Sequence, residues 1–274
     1  FLPTIQGPSA TVSFFPQTSD LPDLTSLGVP DDTLRSVLML QRGPGVVVAG
    51  CQDRRLRAAL LHALARKGSG KIWSIEIAPL YRRRDINQTV VKSQREIPVL
   101  LVGAADAGAD LIVVDEVSSR RALIAVYETG RRRALLAGVP QDTTAGLLSL
   151  MLDVAGAGTL ASTLQGVVAA RPVRLLCPTC RQPQPDGLEG RAWTSRGCEA
   201  CSFTGLRGQH LLVERWTVTP EDRTLLRGGR VDELFAQVIP QVMSQIRQLG
   251  QSLVTEGLAS RGEVARVVEE LPWI

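Results

Sequence analysis

Apolar residues fall along this chain in two rhythms. Four runs, VVVA at 46–49, KIWSIEI at 71–77, ADLIVVDE at 109–116 and ALLAGV at 134–139, are dense in β-branched and aliphatic residues and show little of the strict alternation of a half-exposed strand. Between them, apolar positions recur three or four apart, which predicts helices from about Arg54 to Arg66 and from about Ser119 to Glu128. Doubly buried strands alternating with helices predict an α/β fold, a mainly parallel sheet flanked by helices. The pattern breaks at Cys177–Gly208, where Cys, Gly, Pro and Thr replace the apolar runs. It resumes as a helical period through Leu234, Val238, Val242, Ile246 and Leu249. The expected organisation is a tail and linker at 1–30, with a strand-like piece at Ala10–Phe15, then a core at 31–176. A loop-rich insertion at 177–210 and a C-terminal helical part at 211–274 complete it.

Composition adds what the pattern cannot. Of 274 residues 44% are hydrophobic, enough for a real core, and no apolar run approaches the ~20 residues of a membrane-spanning helix. The opening FLPTIQGPSA lacks the basic start and apolar stretch of a signal peptide, and its first residue, Phe1, is what a piece of a longer chain would show. With 31 basic against 27 acidic residues the surface is mixed, and aromatics at 4% are too sparse to stack bases, so nucleic acid is not an expected partner. The clusters Arg54–Arg55, Arg82–Arg84, Arg120–Arg121 and Arg131–Arg133 read as a solvated face.

The cysteines carry the sharpest local signal. Four of the five form Cys177-x2-Cys180-x17-Cys198-x2-Cys201, two paired turns able to direct four thiolates at one tetrahedral zinc. Disulfides are the competing reading, unexpected without a secretion signal. Four protein ligands leave no open position for water, so the expected zinc is structural. Cys51 stands apart as a small apolar residue.

The insertion is entered by ASTLQGVVAARPVRLLCPTC and left by GCEACSFTGLRGQHLLVERW. Together with DINQTVV at 85–91, GADLIVVDEV at 108–117 and TAGLLSLMLD at 144–153, these segments resemble the secretion ATPases of type II secretion and type IV pilus assembly. The resemblance runs from about Leu21 to the C-terminus. It implies a RecA-like motor domain and a cytoplasmic protein, peripheral at the inner membrane. The implied partners are components of a secretion or pilus machine, either an active paralogous ATPase or an inner-membrane platform protein.

The same resemblance exposes a loss. Gly45–Arg57 aligns with the family's phosphate loop, G-x-x-x-x-G-K-[ST], whose glycines, Lys and hydroxyl cradle a nucleotide and its magnesium. Gly50 keeps the first Gly, but Arg55, Leu56 and Arg57 stand where the second Gly, the Lys and the hydroxyl belong. The family's acidic Glu-Asp pair aligns with Glu76 and Ile77, its arginines with Val102 and Asp106, the Arg and Asp after its Walker B Glu with Ser118 and Ser119, and its motif His with Pro140. Glu116 and Glu76 remain as vestiges. These substitutions imply a chain that neither binds ATP and magnesium nor hydrolyses ATP, a structural or regulatory subunit whose isolated fragment is monomeric or weakly associated. Two alternatives stay open: an active ATPase using Arg54, Arg55 or Arg57 to hold phosphate and Glu116 as base, and a nucleotide sensor without turnover.

Overall fold

The buried runs assemble into one seven-stranded sheet. The computed structural model describes residues 2–4, 7–9, 25, 27–29, 43–66, 70–77, 79–184 and 193–269. The strand-like piece at Ala10–Phe15 and the expected start of the core near Asp31 lie outside the described residues. β1 (Leu2–Thr4) and β2 (Gly7–Ser9) pair as a separate small hairpin.

The main sheet contains β3 (Gly45–Gly50), β4 (Ile72–Ile77), β5 (Asn87–Val91), β6 (Leu111–Val114), β7 (Ala134–Val139), β8 (Leu164–Leu176) and β11 (Leu206–Thr217). Their spatial order is β11-β8-β3-β7-β6-β4-β5, parallel from β8 to β5, with β11 antiparallel at one edge. Every residue of β3, β6 and β7 is buried, because helices cover both faces.

On one face lies α1 (Arg54–Arg66), packed through Ala59, Leu60, Leu61 and Leu64 against Val47, Val113 and Leu136. The other carries α2 (Ile97–Asp106), α3 (Arg120–Gly130), α4 (Thr144–Ala155) and α5 (Ala157–Thr163), whose Leu101, Leu123, Val126 and Leu147 meet Val46, Val48, Ile112 and Ala137. Beyond β11 follow α6 (Pro220–Arg227), α7 (Val231–Thr255) and α8 (Arg261–Glu269). The predicted period on α7 is its buried face: Leu234, Val238, Val242 and Ile246 all point inward.

One boundary moves. The helical part expected from residue 211 begins at Pro220, since Leu206–Thr217 is a strand of the main sheet, in register with β8 through Leu212 opposite Arg171 and Glu214 opposite Ala169. It reads poorly as a strand because its inward polar groups have partners. Glu214 forms a buried ion pair with Arg171 and accepts from the Thr144 N–H at the start of α4, 2.6 Å away. Among the described residues no single helix is long and apolar enough to cross a membrane.

Candidate functional site: the β3–α1 loop and a four-cysteine cluster

The β3–α1 loop sits where parallel α/β sheets commonly bind ligands, beyond the carboxyl ends of the strands. A phosphate loop works by presenting backbone N–H groups and a helix N-terminus to an anion. Here that end is already capped from within. The Asp53 carboxylate accepts the N–H groups of Arg55 at 2.8 Å and Leu56 at 3.1 Å, placing a negative charge at the positive end of α1.

Arg57 completes the filling. Its side chain is 1% exposed, the bulkiest of the fully buried described residues. The guanidinium donates to the Cys51 carbonyl at 2.6 Å, to the Asp115 carbonyl at 3.3 Å and to Glu116 Oε2 at 2.6 Å. A carbonyl oxygen of the loop and one of the turn after β6 thus face a cation that the chain itself supplies. Of the other expected positions, Leu56 is buried in the α1 core and Arg55 is exposed. Gly50 is required by packing: a Cβ there would lie 2.2 Å from the Gln141 carbonyl oxygen.

Below the loop lies a buried acidic group. Asp115, on the turn after β6, accepts the Ile77 N–H through both oxygens at 3.1 Å, with Arg54 3.9 Å away. Burial pushes its carboxyl up to about 7, and neighbouring Glu76 and Glu116 add to the rise. Glu76 is differently placed. Burial alone would raise it, but His62 at 3.4 Å, Gln88 at 2.9 Å and Ser74 at 2.6 Å together hold its carboxyl below the usual range. The structure thus joins Glu116 to Arg57 and gives Glu76 to His62, which lies on α1. The aligned substitutions fall apart from this group: Val102 and Asp106 are exposed on α2, Ser118 is exposed, and Ser119 caps α3 through the Ala122 N–H.

Sequence reasoning passed over Asp53, Asp115 and His62. Asp53 could have been found as an Asp one residue before a helical period. Asp115 could have been noticed as a carboxylate at the end of a doubly buried strand.

The cysteine cluster is built by two turns. Cys177 follows the last residue of β8, and Cys180 immediately precedes the hairpin of β9 (Arg181–Pro183) and β10 (Trp193–Ser195). Cys198 caps a single 3-10 turn (Glu199–Cys201) that Cys201 ends, and the Gly205 N–H donates to Cys201 Sγ at 3.3 Å. Gly205 has φ +74°, and a Cβ there would lie 2.3 Å from Ser195 Oγ, which explains the glycine of the C-x-x-C-x-x-T-G run. The four sulfurs all lie within 4.8 Å of one another, with separations of 3.9, 3.9 and 3.8 Å for Cys177–Cys198, Cys180–Cys201 and Cys198–Cys201. A tetrahedron with metal–sulfur bonds of about 2.3 Å has edges of about 3.8 Å, so the set fits one tetrahedral metal ion. Disulfide bonding is not what holds these turns, since all four are free thiols.

Both features sit on a fold of known kind, and residues 1–266 match the Type II/IV secretion system protein family. The chain belongs to that family. The Type II secretion system protein E of Dickeya dadantii (strain 3937) is 28% identical over 287 residues, covering 98% of this chain and 58% of that protein. The Type IV pilus assembly ATPase PilB of Thermus thermophilus is 24% identical over 293 residues, 98% of this chain and 33% of its own length. The chain therefore spans little more than half the length of its curated type II relatives. Among solved structures, the pilus retraction motor PilT with bound ADP superposes at a TM-score of 0.67 with 17% identity, over 93% of this chain and 69% of PilT. The ATPase DotB of Legionella pneumophila superposes at 0.69 with 12% identity, over 93% and 67%. The fold of this secretion-family member is thus that of the motor ATPases.

Proposed function

We propose that this secretion-family chain is a non-hydrolysing member of its group, a structural or regulatory subunit of a type II secretion or type IV pilus-like machine. The observation that carries the reading is the interior of the β3–α1 loop. The Asp53 carboxylate takes the helix N–H groups and the Arg57 guanidinium takes the loop carbonyls and Glu116. Phosphoryl transfer depends on positioning and charge neutralisation, which require a Lys and a magnesium ligand that Leu56 and Arg57 do not supply. A triphosphate entering here would meet the Asp53 carboxylate and would have to displace a buried Arg57. The partners in this reading are machine components such as an active paralogous ATPase. The four cysteines hold a structural zinc that stabilises the insertion.

The test is direct. ATP with magnesium should leave the melting temperature unchanged, whereas a ligand at a hundred times its Kd adds ~2.7 kcal/mol of stability. Hydrolysis should be at background in the native chain and in Leu56→Lys with Arg57→Thr, since functions shared among cooperating residues do not return in proportion to those restored. Magnesium-dependent turnover that Glu116→Gln abolishes would refute the proposal and favour an active enzyme with a rearranged loop.

A further inference from the structure

Arg57 is tied to more of the molecule than an incidental buried side chain would be. Its three donor nitrogens reach two segments: the loop through the Cys51 carbonyl, and the turn after β6 through the Asp115 carbonyl and the Glu116 carboxylate. Arg57 itself stands on the first turn of α1. A loop that must admit and release a ligand has to move relative to the strand beside it. Here the loop, the turn after β6 and the first turn of α1 are joined through one planar fork whose geometry matches several acceptors at once. The glycine at position 50 leaves no room for a Cβ beside the Gln141 carbonyl, and on that side the Cys51 N–H donates to the Val139 carbonyl at 3.3 Å, which holds the loop to the end of β7. The Cys51 thiol between them is 0% exposed, and burial pushes it up to about 12.

We infer that Arg57 is a resident cation that locks the β3–α1 loop closed against β6, so that this chain holds without ligand the loop state that a bound group would otherwise have to impose. The inference rests on the proposal that the loop takes no nucleotide, and it goes further in assigning one residue the job of keeping the loop shut. Asp53 belongs to the same device, because its carboxylate fixes the start of α1 from the opposite side. Removing the guanidinium frees the Cys51 and Asp115 carbonyls and leaves Glu116 without its partner. The loop then opens more often, and Cys51 is the reporter of that opening.

The experiment is thiol labelling of Cys51, read by mass-spectrometric peptide mapping so that the four clustered cysteines do not interfere. In Arg57→Ala the Cys51 rate should rise at least about tenfold, the least expected from losing one charge-assisted hydrogen bond in a locally opening segment. Ethylguanidinium at about 20 mM, far below the denaturing range, should slow it again by filling the vacated space. Ethylammonium, a point charge without the fork, should not. If Arg57→Ala does not fold, Arg57→Lys is the variant read: charge is retained, the three-way fork is lost, and labelling should still accelerate. An unchanged rate in the folded variants overturns the inference, as does acceleration in Arg57→Ala that ethylguanidinium cannot reverse or that ethylammonium reverses equally well. Slowing of Cys51 labelling in the native chain by magnesium ATP would instead overturn the nucleotide-free reading, and the comparison among Arg57 variants separates the two failures.

Discussion

Replacing Asp115 by Asn should make the protein more stable at neutral pH, and the gain should vanish as the pH falls. Asp115 lies under the filled loop and is almost wholly buried, with both oxygens on the Ile77 N–H. Its carboxyl is pushed up to about 7 from an ordinary value of 3.8, by burial first and then by Glu76 and Glu116, with Arg54 acting in the opposite direction. The folded state therefore binds this proton more tightly than the unfolded chain. Such a group contributes stability that is fully present below its unfolded pKa and is lost as pH rises through its folded pKa. Each pH unit inside that window is worth about 1.36 kcal/mol, so from pH 5 to pH 8 the wild type should lose about 3 kcal/mol through this residue alone. Asn keeps the shape and an acceptor for Ile77 but does not titrate. The assay is denaturant unfolding of both proteins at half-unit steps between pH 5 and pH 8, taken as a difference. Other titrating groups, the cysteine cluster included, cancel to first order in that difference. It should climb by about 3 kcal/mol in favour of Asp115→Asn as the pH rises and level off above about pH 7.5. A flat difference curve, or one sloping the other way, would show that the carboxylate is ionised and compensated in the folded state, and that the reading of this acidic group is wrong.

Further outcomes concern the insertion and its seat. Protein purified without chelator should carry one zinc per chain, and Cys198→Ser should lower that ratio and raise hydrogen exchange across 193–205; metal content well below one would remove the structural zinc from the proposal. The module should also depend on Gly257, at φ +68°, where a Cβ would lie 2.5 Å from the Trp193 ring. That ring carries the Arg181 guanidinium 5.6 Å from its centroid, while Arg181 donates to the Gly257 carbonyl at 2.8 Å. Gly257→Ala should cost about 2 kcal/mol through left-handed strain and the displaced ring, and should sensitise the protein to chelator. A melt indistinguishable from wild type with unchanged chelator response would mean that the module is not anchored there.

The parts of this molecule that were legible in its sequence are those decided by local rules. β3, β6 and β7 announced themselves because a parallel strand covered on both faces must be apolar at nearly every position. The helix at Arg54–Arg66 and the buried stripe of α7 followed from a 3.6 period, and the cysteine spacing fixed which four sulfurs would converge, as they do. β11 was missed because its inward Glu214 looks out of place until Arg171 and the Thr144 N–H are brought to it from β8 and α4. No local rule contains those partners.

The loop shows the same limit at higher stakes. Alignment by residue type registers Leu56 as a missing lysine and Arg57 as a missing hydroxyl or, at most, a substitute phosphate ligand, so a sequence reading describes a site that has lost its usual contents. In three dimensions Leu56 has become core and Arg57 has acquired acceptors 6, 58 and 59 residues away in the chain. A buried guanidinium without such acceptors would cost several kcal/mol, so the substitution could not persist as neutral drift at a site left otherwise unchanged. Asp53 supplies the matching anion at the helix start. Together Asp53, on the Arg55 and Leu56 N–H groups, and Arg57, on the Cys51 carbonyl and Glu116, satisfy from within the chain the polar groups at the start of α1, an arrangement that only the folded chain displays.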